Sequence, residues 1–506
     1  MLKNNIKVTH FALLMSFLNF LFFHFPFFSF VVKNVDYKSF NGVFLIISLI
    51  IVVLVVNALI FYLICFLSRY VGKFLLVLFF IISAVAVYFI NTYGVLIDKS
   101  MIGNILNTNY AESSSFFSIK LIIYIVLFGI LPGIYIIKAK IINETWKRFG
   151  ITSSLTLLFI LTLVFANASN WLWIDKNAKV IGALPMPWSY VANTYLFYKD
   201  KFKSNEKEVL LPDATIKDNQ KSVVVLVIGE SARSQNFSLY GYKKNTNPLL
   251  SKMDNLFHFE ATSCATYTTA GVKCILEHTN TDKLYEILPN YLYRNNVEVI
   301  WRTSNWGEPP VHIKNYQNRD ALMPNCKGEG CNYDEILLTG LKDQILASKK
   351  NKILIVLHTS TSHGPQYSKK YPPQFETFKP VCNSVELGNC SQTELINAYD
   401  NTIVYTDYIL SKVIEDLKQL NEYKSTMIFV SDHGESLGEK NLYMHGVPIS
   451  VAPKEQYEIP FIVWVSNGSK QVKANKVLSQ NNVFHSVLNF LNIQSPIYEE
   501  GMSIFK

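Results

Sequence analysis

The sequence predicts two parts of different fold class, an N-terminal α-helical membrane domain and a C-terminal α/β domain. Five long apolar runs lie before residue 168, and short apolar strands alternate with helical segments after residue 222. Residues 1–200 contain 15 Lys and Arg against 6 Asp and Glu, whereas the remaining residues contain 32 of each. The formal net charge of +9 therefore belongs to the apolar part. This distribution indicates membrane topology and not a nucleic-acid-binding surface.

The apolar runs are each long enough to cross a bilayer, which takes about 20 helical residues. They cover residues 8–32, 43–68, 74–92, 119–137 and 151–167. The first run resembles a signal peptide, but it is too long and lacks a small-residue cleavage site, so we interpret it as a retained anchor. Lys and Arg concentrate in alternate loops, which assigns those loops to the cytoplasm. An odd number of spans then predicts that the rest of the chain lies outside the cytoplasm.

The segment that joins the two parts is rich in aromatic and basic residues. We interpret it as amphipathic helices at the membrane surface followed by a polar linker. A plain linker packed on the next domain is the alternative. The predicted domains are 1–168, 169–221 and 222–506. The aromatic residues are Trp171, Trp173, Trp188, Tyr190, Tyr195 and Tyr198.

Six of the seven cysteines follow residue 260, in the part expected outside the cytoplasm. An even number in that compartment predicts three disulfides, and pairing of nearest neighbours is the simplest connectivity. A zinc–thiolate site that includes Cys326 and Cys331 is the alternative. The six residues are Cys264, Cys274, Cys326, Cys331, Cys382 and Cys390.

Short apolar runs after residue 222 predict buried strands, and residues 395–420 show helical periodicity. Strands alternating with helices predict an α/β sandwich with a largely parallel sheet. In such sheets ligands bind at the carboxyl ends of the strands. The predicted strands are residues 223–228, 297–301, 353–358, 427–431 and 461–465.

Acidic residues and histidines follow these strands. Glu230 follows the first strand, and Asp432 and His433 follow the fourth. Together they form a set of two oxygen ligands and one nitrogen ligand, which suits Zn²⁺ with one coordination position left for a reacting group. A single such residue is more often structural, but several at the strand ends of one sheet favour a functional site. Further candidates at this edge are His358, His363 and His445.

A metal-dependent hydrolase or transferase needs an activated nucleophile. Residues 264–274 are rich in small and hydroxyl-bearing side chains and lie between two cysteines. A threonine of this segment is the candidate nucleophile. The alternative is a threonine-rich turn that bonds its own backbone.

Six longer motifs occur in order along the second part. They are Gly-Glu-Ser-Ala-Arg-Ser at 229–234, Cys-x-Thr-x-Thr at 264–268, His-x4-His-Gly-Pro at 358–365, Asn-Ala-Tyr-Asp-Asn at 397–401, Ser-Asp-His-Gly-Glu-Ser at 431–436 and Ala-Pro-Lys-Glu-Gln at 452–456. Together these motifs resemble those of the lipid A phosphoethanolamine transferases, the family that includes the colistin-resistance enzymes. The resemblance extends through nearly all of the second part, and the five-span anchor agrees with the family in layout.

The resemblance implies a periplasmic domain of the alkaline-phosphatase and sulfatase type, anchored in the inner membrane. It implies one tightly bound zinc ion, with a second ion as an option. It assigns the nucleophile to Thr268, with Thr266 as second candidate, and the disulfides Cys264–Cys274 and Cys382–Cys390. The implied metal ligands are Glu230, Thr268, Asp432 and His433. The residues implied for substrate binding or a second metal are His358, His363, Glu435 and His445.

The resemblance also implies a reaction. Phosphatidylethanolamine is the expected donor, lipid A or lipooligosaccharide the expected acceptor, and a phosphoethanolamine-threonine the expected intermediate, in a monomer that binds no nucleic acid. His363 or His445 is expected to protonate the leaving group. The modification would lower the negative charge of the outer membrane and so favour polymyxin resistance.

Two features depart from the family. A headgroup-contacting Lys is usual after the second predicted strand, but here the segment reads Thr-Ser-Asn-Trp-Gly-Glu-Pro-Pro at 303–310, and only His312 and Lys314 follow nearby. The Cys326–Cys331 loop is also shorter than usual, which leaves the acceptor open.

There are four alternatives to this function. A sulfatase would need a Cys-x-Pro-x-Arg signature, which no exported cysteine begins. A phosphoglycerol transferase would differ in headgroup, and another cell-envelope acceptor would leave the donor unchanged. A non-enzymatic binding module would bind no zinc.

Overall fold

The computed structural model describes residues 5–108, 110–203, 208–281, 283–473 and 477–506. It divides into two compact units. The division into domains 1–168, 169–221 and 222–506 stays a prediction. The units are Met1–Leu106 with Phe117–Asp200, and Asn107–Phe116 with Lys201–Lys506.

The first unit consists of apolar helices. Among the described residues, four helices are long and apolar enough to cross a membrane, or five spans if α1 and α2 count as one. These two helices meet at 65° around His24, so the first predicted span is broken. Pro26 explains the break, since it lies in the first turn of α2 and has no N–H to continue α1. The helices are α1 Val8–Phe23, α2 Phe25–Asn34, α3 Phe40–Leu67, α4 Arg69–Tyr93, α5 Ile119–Lys138 and α6 Trp146–Ala166.

The aromatic segment after α6 is helical. The indole N–H of Trp188 donates to Asn57 Oδ1 at 2.5 Å, and Asn57 in turn donates to Asn19 Oδ1 at 2.9 Å. Polar groups inside an apolar bundle need such partners. This contact holds the last helix of the segment on the membrane helices. The three helices are Trp171–Lys176, Ala178–Ala183 and Trp188–Lys203.

The second unit is built around an eight-stranded sheet with the order β8-β2-β7-β6-β1-β5-β3-β4. All five predicted strands are present. The central strand β1 is buried along its whole length, as expected of a strand covered on both faces. The strands are β1 Ser222–Gly229, β2 Leu256–Thr262, β3 Glu298–Thr303, β4 Asn315–Asn318, β5 Lys352–His358, β6 Lys424–Ser431, β7 Glu458–Val465 and β8 Leu478–Ser479.

The sheet is parallel from β6 through β1, β5 and β3 to β4. The strand β7, however, runs antiparallel to both of its neighbours. No long helix connects β6 to β7, and parallel neighbours need such a crossover. The carboxyl end of β7 therefore does not reach the edge where β1 and β6 end.

The strand ends that were expected to form a site lie side by side in the sheet. Ile228 pairs with His358, Gly229 with Ser431, and Thr303 with His358. The long helix expected at 395–420 is present and begins with a capping box of Ser391 and Glu394. The main helices of this unit are α7 Thr268–Leu276, α8 Leu288–Arg294, α9 Gln392–Lys418 and α10 Asn482–Phe490.

Candidate metal centre

Glu230, Asp432 and His433 come together where β1 and β6 end. The Nε2 atom of His433 lies 3.4 Å from Glu230 Oε1 and 3.4 Å from Asp432 Oδ2. All three residues are buried. The Nδ1 atom of His433 lies 2.8 Å from the carbonyl oxygen of Gly434, so that carbonyl holds the Nδ1–H and directs the Nε2 lone pair into the cluster.

Thr268 is the first residue of α7, and its hydroxyl joins this cluster. Its Oγ1 atom lies 3.3 Å from Glu230 Oε2 and 3.3 Å from His433 Nε2. Gly271 allows this approach, because a Cβ atom there would lie 2.1 Å from the carbonyl oxygen of Asp432. Thr266, the second candidate, instead donates its hydroxyl to the carbonyl oxygen of Val447 at 2.6 Å.

Three disulfides are present, with the nearest-neighbour pairing. The Cys264–Cys274 bridge closes the loop that contains Thr268. The second, Cys326–Cys331, uses the two cysteines that were the alternative zinc–thiolate pair. The third is Cys382–Cys390.

A short antiparallel pair, Ser436–Leu437 with Tyr443–Met444, brings His445 back to the site. The ligand atoms of Glu230, His433 and His445 all lie within 4.8 Å of one another. Nδ1 of His445 lies 2.9 Å from Glu435 Oε2.

Glu435 links that histidine to a phenol. Its Oε1 accepts a hydrogen bond of 2.6 Å from the hydroxyl of Tyr367. Burial and the charge of Glu435 raise the pKa of Tyr367 well above 10, so the phenol remains a donor. Glu435 therefore orients His445, as a carboxylate orients a ligand histidine in many metal sites.

The remaining two histidines, His363 and His358, have different neighbours. The ring of His363 lies 5.4 Å from the ring of His445, and its Nδ1 lies 2.7 Å from the carbonyl oxygen of Gly364. His358 ends β5 and lies against the end of β3, with Nδ1 3.5 Å from both Glu308 Oε2 and Thr303 Oγ1.

The buried cluster fits a zinc ion. The atoms measured from His433 Nε2 lie 3.3–3.4 Å away, and tetrahedral zinc ligands with bonds of about 2.1 Å lie about 3.4 Å apart. Asp432 Oδ2 is buried and has no hydrogen-bond partner among the described residues. Within that part of the chain, no Lys or Arg lies within 4.0 Å of Glu230 or Asp432.

Burial and neighbouring charges shift the pKa values of both carboxylates, in opposite directions. Burial and the charge of Glu230 raise the pKa of Asp432 well above its usual value. Burial also acts to raise the pKa of Glu230, but His433, His363 and His445 lower it overall. Two adjacent buried carboxylates whose only described basic neighbours are histidines favour a bound cation when both are ionised.

Several supporting residues escaped sequence reasoning. Ser231, in the left-handed region at φ +53°, donates its hydroxyl to Glu230 Oε1 at 2.6 Å and its N–H to Asp432 Oδ1 at 3.0 Å. Asn305 donates to Glu230 Oε2 at 2.7 Å. The only feature of the sequence that pointed to Asn305 was its position in the segment that departs from the family. The motif residue Tyr399 donates to the carbonyl oxygen of Ser231 at 2.7 Å.

An open cavity of about 580 Å³ borders the cluster and is lined by residues 305–311 with Thr269 and Tyr316. Gly307, at φ +99°, brings this segment against the nucleophile candidate, since a Cβ atom there would lie 3.1 Å from Thr268 Cγ2. His312 and Lys314, the residues considered for the missing Lys, are exposed and do not line this cavity.

Two family models match the chain. Residues 222–493 match the family model described as sulfatase, and residues 52–202 match the model described as phosphoethanolamine transferase EptA/EptB. The fold and the site thus define an integral membrane protein with a sulfatase-type domain.

The relatives identify the family. Phosphoethanolamine transferase EptA of Helicobacter pylori is 42% identical over 499 residues, which cover 96% of this chain and 94% of the relative. Phosphatidylethanolamine transferase Mcr-1 of Escherichia coli is 32% identical over 457 residues, 84% of each chain. The solved lipooligosaccharide phosphoethanolamine transferase A of Neisseria meningitidis aligns with a TM-score of 0.90 at 27% identity, over 99% of both chains. The chain belongs to the phosphoethanolamine transferase family.

Proposed function

We propose that the protein transfers phosphoethanolamine from phosphatidylethanolamine to lipid A or lipooligosaccharide through a covalent phosphoethanolamine–Thr268 intermediate. The observation that supports this most is the distance of 3.3 Å from Thr268 Oγ1 to both Glu230 Oε2 and His433 Nε2. The names of the relatives support the headgroup, the donor and the acceptor, since they are a phosphoethanolamine transferase, a phosphatidylethanolamine transferase and a lipooligosaccharide-modifying enzyme.

In this proposal Glu230, Thr268, Asp432 and His433 hold one zinc ion tightly. Bound there, the ion would supply a Lewis acid that lowers the pKa of the Thr268 hydroxyl. A second ion, or the donor phosphate, would be held by His358, His363, Glu435 and His445.

The first half-reaction forms a bond from Thr268 Oγ1 to the donor phosphorus and breaks the bond from phosphorus to the glycerol oxygen. The hydroxyl proton of Thr268 ends on diacylglycerol, the leaving group. His445 or His363 delivers a proton to that oxygen, because an imidazole titrates near neutral pH. Thr268 is also the first residue of a helix, whose N-terminus favours negative phosphoryl oxygens.

The second half-reaction reverses these bond changes with a different oxygen. An acceptor phosphate or hydroxyl forms the new bond to phosphorus, and the bond to Thr268 Oγ1 breaks. The proton of the attacking hydroxyl, or of a monoprotonated acceptor phosphate, returns to Thr268 Oγ1. The product carries an added ammonium group, which lowers the negative charge of the outer membrane and reduces binding of cationic polymyxin.

The proposal includes the cell location. The five-span anchor of residues 1–168 lies in the inner membrane, residues 169–221 lie at its surface, and residues 222–506 form the catalytic domain in the periplasm, in a monomer. Both substrates are lipids, so anchoring the catalytic domain raises their effective concentration.

Intact-mass spectrometry after incubation with phosphatidylethanolamine tests the intermediate. We expect an added phosphoethanolamine in the wild type and in Thr266→Ala, and none in Thr268→Ala. An adduct that persists in Thr268→Ala rules out this nucleophile. Incubation with labelled phosphatidylglycerol distinguishes the phosphoglycerol transferase alternative, which predicts a glycerophosphate adduct instead. Tracing the label into membrane lipids then identifies the acceptor.

A further inference from the structure

The cavity beside Thr268 contains an acidic side chain, Glu308. This residue lines the cavity and follows Gly307, where a Cβ atom would lie 3.1 Å from Thr268 Cγ2. The Glu308 side chain is only 12% exposed. A nearly buried carboxylate in a substrate cavity needs a compensating partner.

Only one of the two Glu308 carboxylate oxygens accepts a hydrogen bond from a described residue. Oε1 accepts a hydrogen bond of 2.6 Å from the hydroxyl of Tyr316. Oε2 is buried and has no hydrogen-bond partner among the described residues, and the nearest basic atom is His358 Nδ1 at 3.5 Å. In the part of the chain that the structure describes, no Lys or Arg lies within 4.0 Å of this carboxylate. Tyr316 thus holds one oxygen and the other is buried beside His358, so the Glu308 side chain that lines the cavity has no Lys or Arg within the described chain to balance its charge.

Two aromatic side chains line the same cavity, Trp306 and Tyr316. Aromatic faces attract cations, and a carboxylate beside them adds charge and a hydrogen-bond acceptor. This combination suits a primary ammonium group. It suits glycerol poorly, because a neutral hydroxyl leaves the charge of Glu308 uncompensated.

We propose that Glu308, together with Trp306 and Tyr316, binds the ammonium group of the ethanolamine headgroup and selects this headgroup over glycerol. Only two carbon atoms separate that nitrogen from the phosphate ester oxygen. Phosphorus at Thr268 Oγ1 therefore leaves the ammonium within reach of residues 306–308. This inference rests on the proposed function, since it takes Thr268 as the atom attacking phosphorus.

A binding experiment tests the subsite without the transfer reaction. The full chain in detergent, loaded with zinc, is titrated with O-phosphoethanolamine and with glycerol 3-phosphate. We expect Glu308→Gln to weaken O-phosphoethanolamine about 10- to 100-fold and to leave glycerol 3-phosphate within about twofold, as for loss of one charge-assisted contact. The exposed Glu329→Gln is the matched control and leaves both affinities unchanged.

Glu308→Asp tests whether the effect is merely structural, since aspartate keeps the negative charge. We expect this variant to regain part of the preference for O-phosphoethanolamine. Equal loss of both ligands in Glu308→Gln, or no loss of either, overturns the inference. Titration with choline phosphate adds a second check. A quaternary ammonium has no N–H to donate to Glu308, so we expect Glu308→Gln to weaken the affinity for choline phosphate less than that for O-phosphoethanolamine.

Transfer assays separate this inference from the proposed function. If the wild type transfers phosphoethanolamine and Glu308→Gln keeps its preference over glycerophosphate, only the subsite is wrong. If the wild type transfers nothing from phosphatidylethanolamine, the proposed function is wrong. With both correct, Glu308→Gln raises the KM for phosphatidylethanolamine about 10-fold and changes kcat less.

Discussion

The catalytic unit buries carboxylates in two regions, and they differ in how their oxygens are paired. On α9, Asp400 has three donors: Asn236 at 2.6 Å to Oδ1, and Tyr242 at 3.0 Å and Lys244 at 2.7 Å to Oδ2. At the strand ends, Asp432 Oδ1 accepts two backbone N–H groups, but Oδ2 has no hydrogen-bond partner among the described residues.

This difference separates a structural carboxylate from a candidate metal ligand. A buried carboxylate whose oxygens are all paired, with a lysine for its charge, needs nothing further to be stable. A buried oxygen that is unpaired, beside a second carboxylate and an imidazole lone pair, is unfavourable until a cation binds. Burial of charge alone therefore does not mark the site, whereas convergent unpaired oxygens do.

The largest effect is expected for Asp432→Asn, which keeps Oδ1 and replaces the unpaired oxygen with an amide. We expect most of the bound zinc to be lost and transfer to fall at least about 10³-fold, because a direct ligand is removed. Elemental analysis and a lipid transfer assay on the purified full chain measure both. Full zinc occupancy in this variant would contradict the ligand assignment.

The same variant has an opposite effect on the metal-free protein. Removing one of two adjacent buried carboxylates relieves their repulsion, so metal-free Asp432→Asn should unfold with a free energy roughly 1 kcal/mol higher than the metal-free wild type. Denaturant unfolding in the presence of a chelator measures this difference. A less stable variant would mean that the unpaired oxygen has a protein partner.

Asp400→Asn is expected to show the reverse pattern. It removes the charge that pairs with Lys244, whose side chain is a third exposed, so we expect a loss of about 2 kcal/mol in the free energy of unfolding. Zinc content and transfer per folded molecule should equal those of the wild type. Reduced zinc per folded molecule would show that the two regions are not independent.

Ser231→Ala should have a smaller effect, since this residue orients a ligand without being one. It removes the 2.6 Å hydrogen bond to Glu230 Oε1, and loss of such an orienting bond typically weakens metal affinity about 10-fold. Competition with a zinc chelator measures the affinity. Ser234→Ala is the matched control, because its hydroxyl lies 3.4 Å from the carbonyl oxygen of Glu458, away from the cluster. Equal affinities in the two variants would rule out the orienting role.

The sequence predicted those parts of the molecule that depend on local pattern. Apolar length identified the membrane helices, and strand ends located Glu230, Asp432 and His433. An apolar run looks the same in the sequence whether its strand is parallel or antiparallel to its neighbours. The antiparallel direction of β7 was therefore not predicted. The break between α1 and α2 was not predicted, because the run is apolar throughout and a single proline within it is enough to interrupt the helix.

The supporting residues could not be predicted for a different reason. Asn305 and Gln480 reach the site from segments far apart in the chain, Asn305 at 2.7 Å from Glu230 Oε2 and Gln480 at 2.7 Å from the carbonyl oxygen of Asp432. Amides occur throughout the sequence, and only the fold distinguishes these two. The different surroundings of Thr266 and Thr268 are likewise visible only in the fold, where the Thr266 hydroxyl donates to the Val447 carbonyl oxygen.

Asp407 is a second buried carboxylate on α9, and its contribution to stability depends on pH. It accepts hydrogen bonds from the N–H groups of Leu249 at 2.8 Å and Leu250 at 3.1 Å, and among the described residues no Lys or Arg lies within 4.0 Å. Burial raises its pKa to about 7, only partly offset by these donors.

The folded protein therefore holds this proton more tightly than the unfolded chain. The stability from protonated Asp407 is fully present below about pH 4 and is lost as the pH rises to about 7, by roughly 1 kcal/mol per pH unit. Denaturant unfolding of the full chain from pH 5 to pH 7.5 should show this slope, and it should be shallower in Asp407→Asn, which cannot titrate. Parallel slopes would mean that Asp407 is already ionised in the folded state, with its charge stabilised by the hydrogen bonds that it accepts.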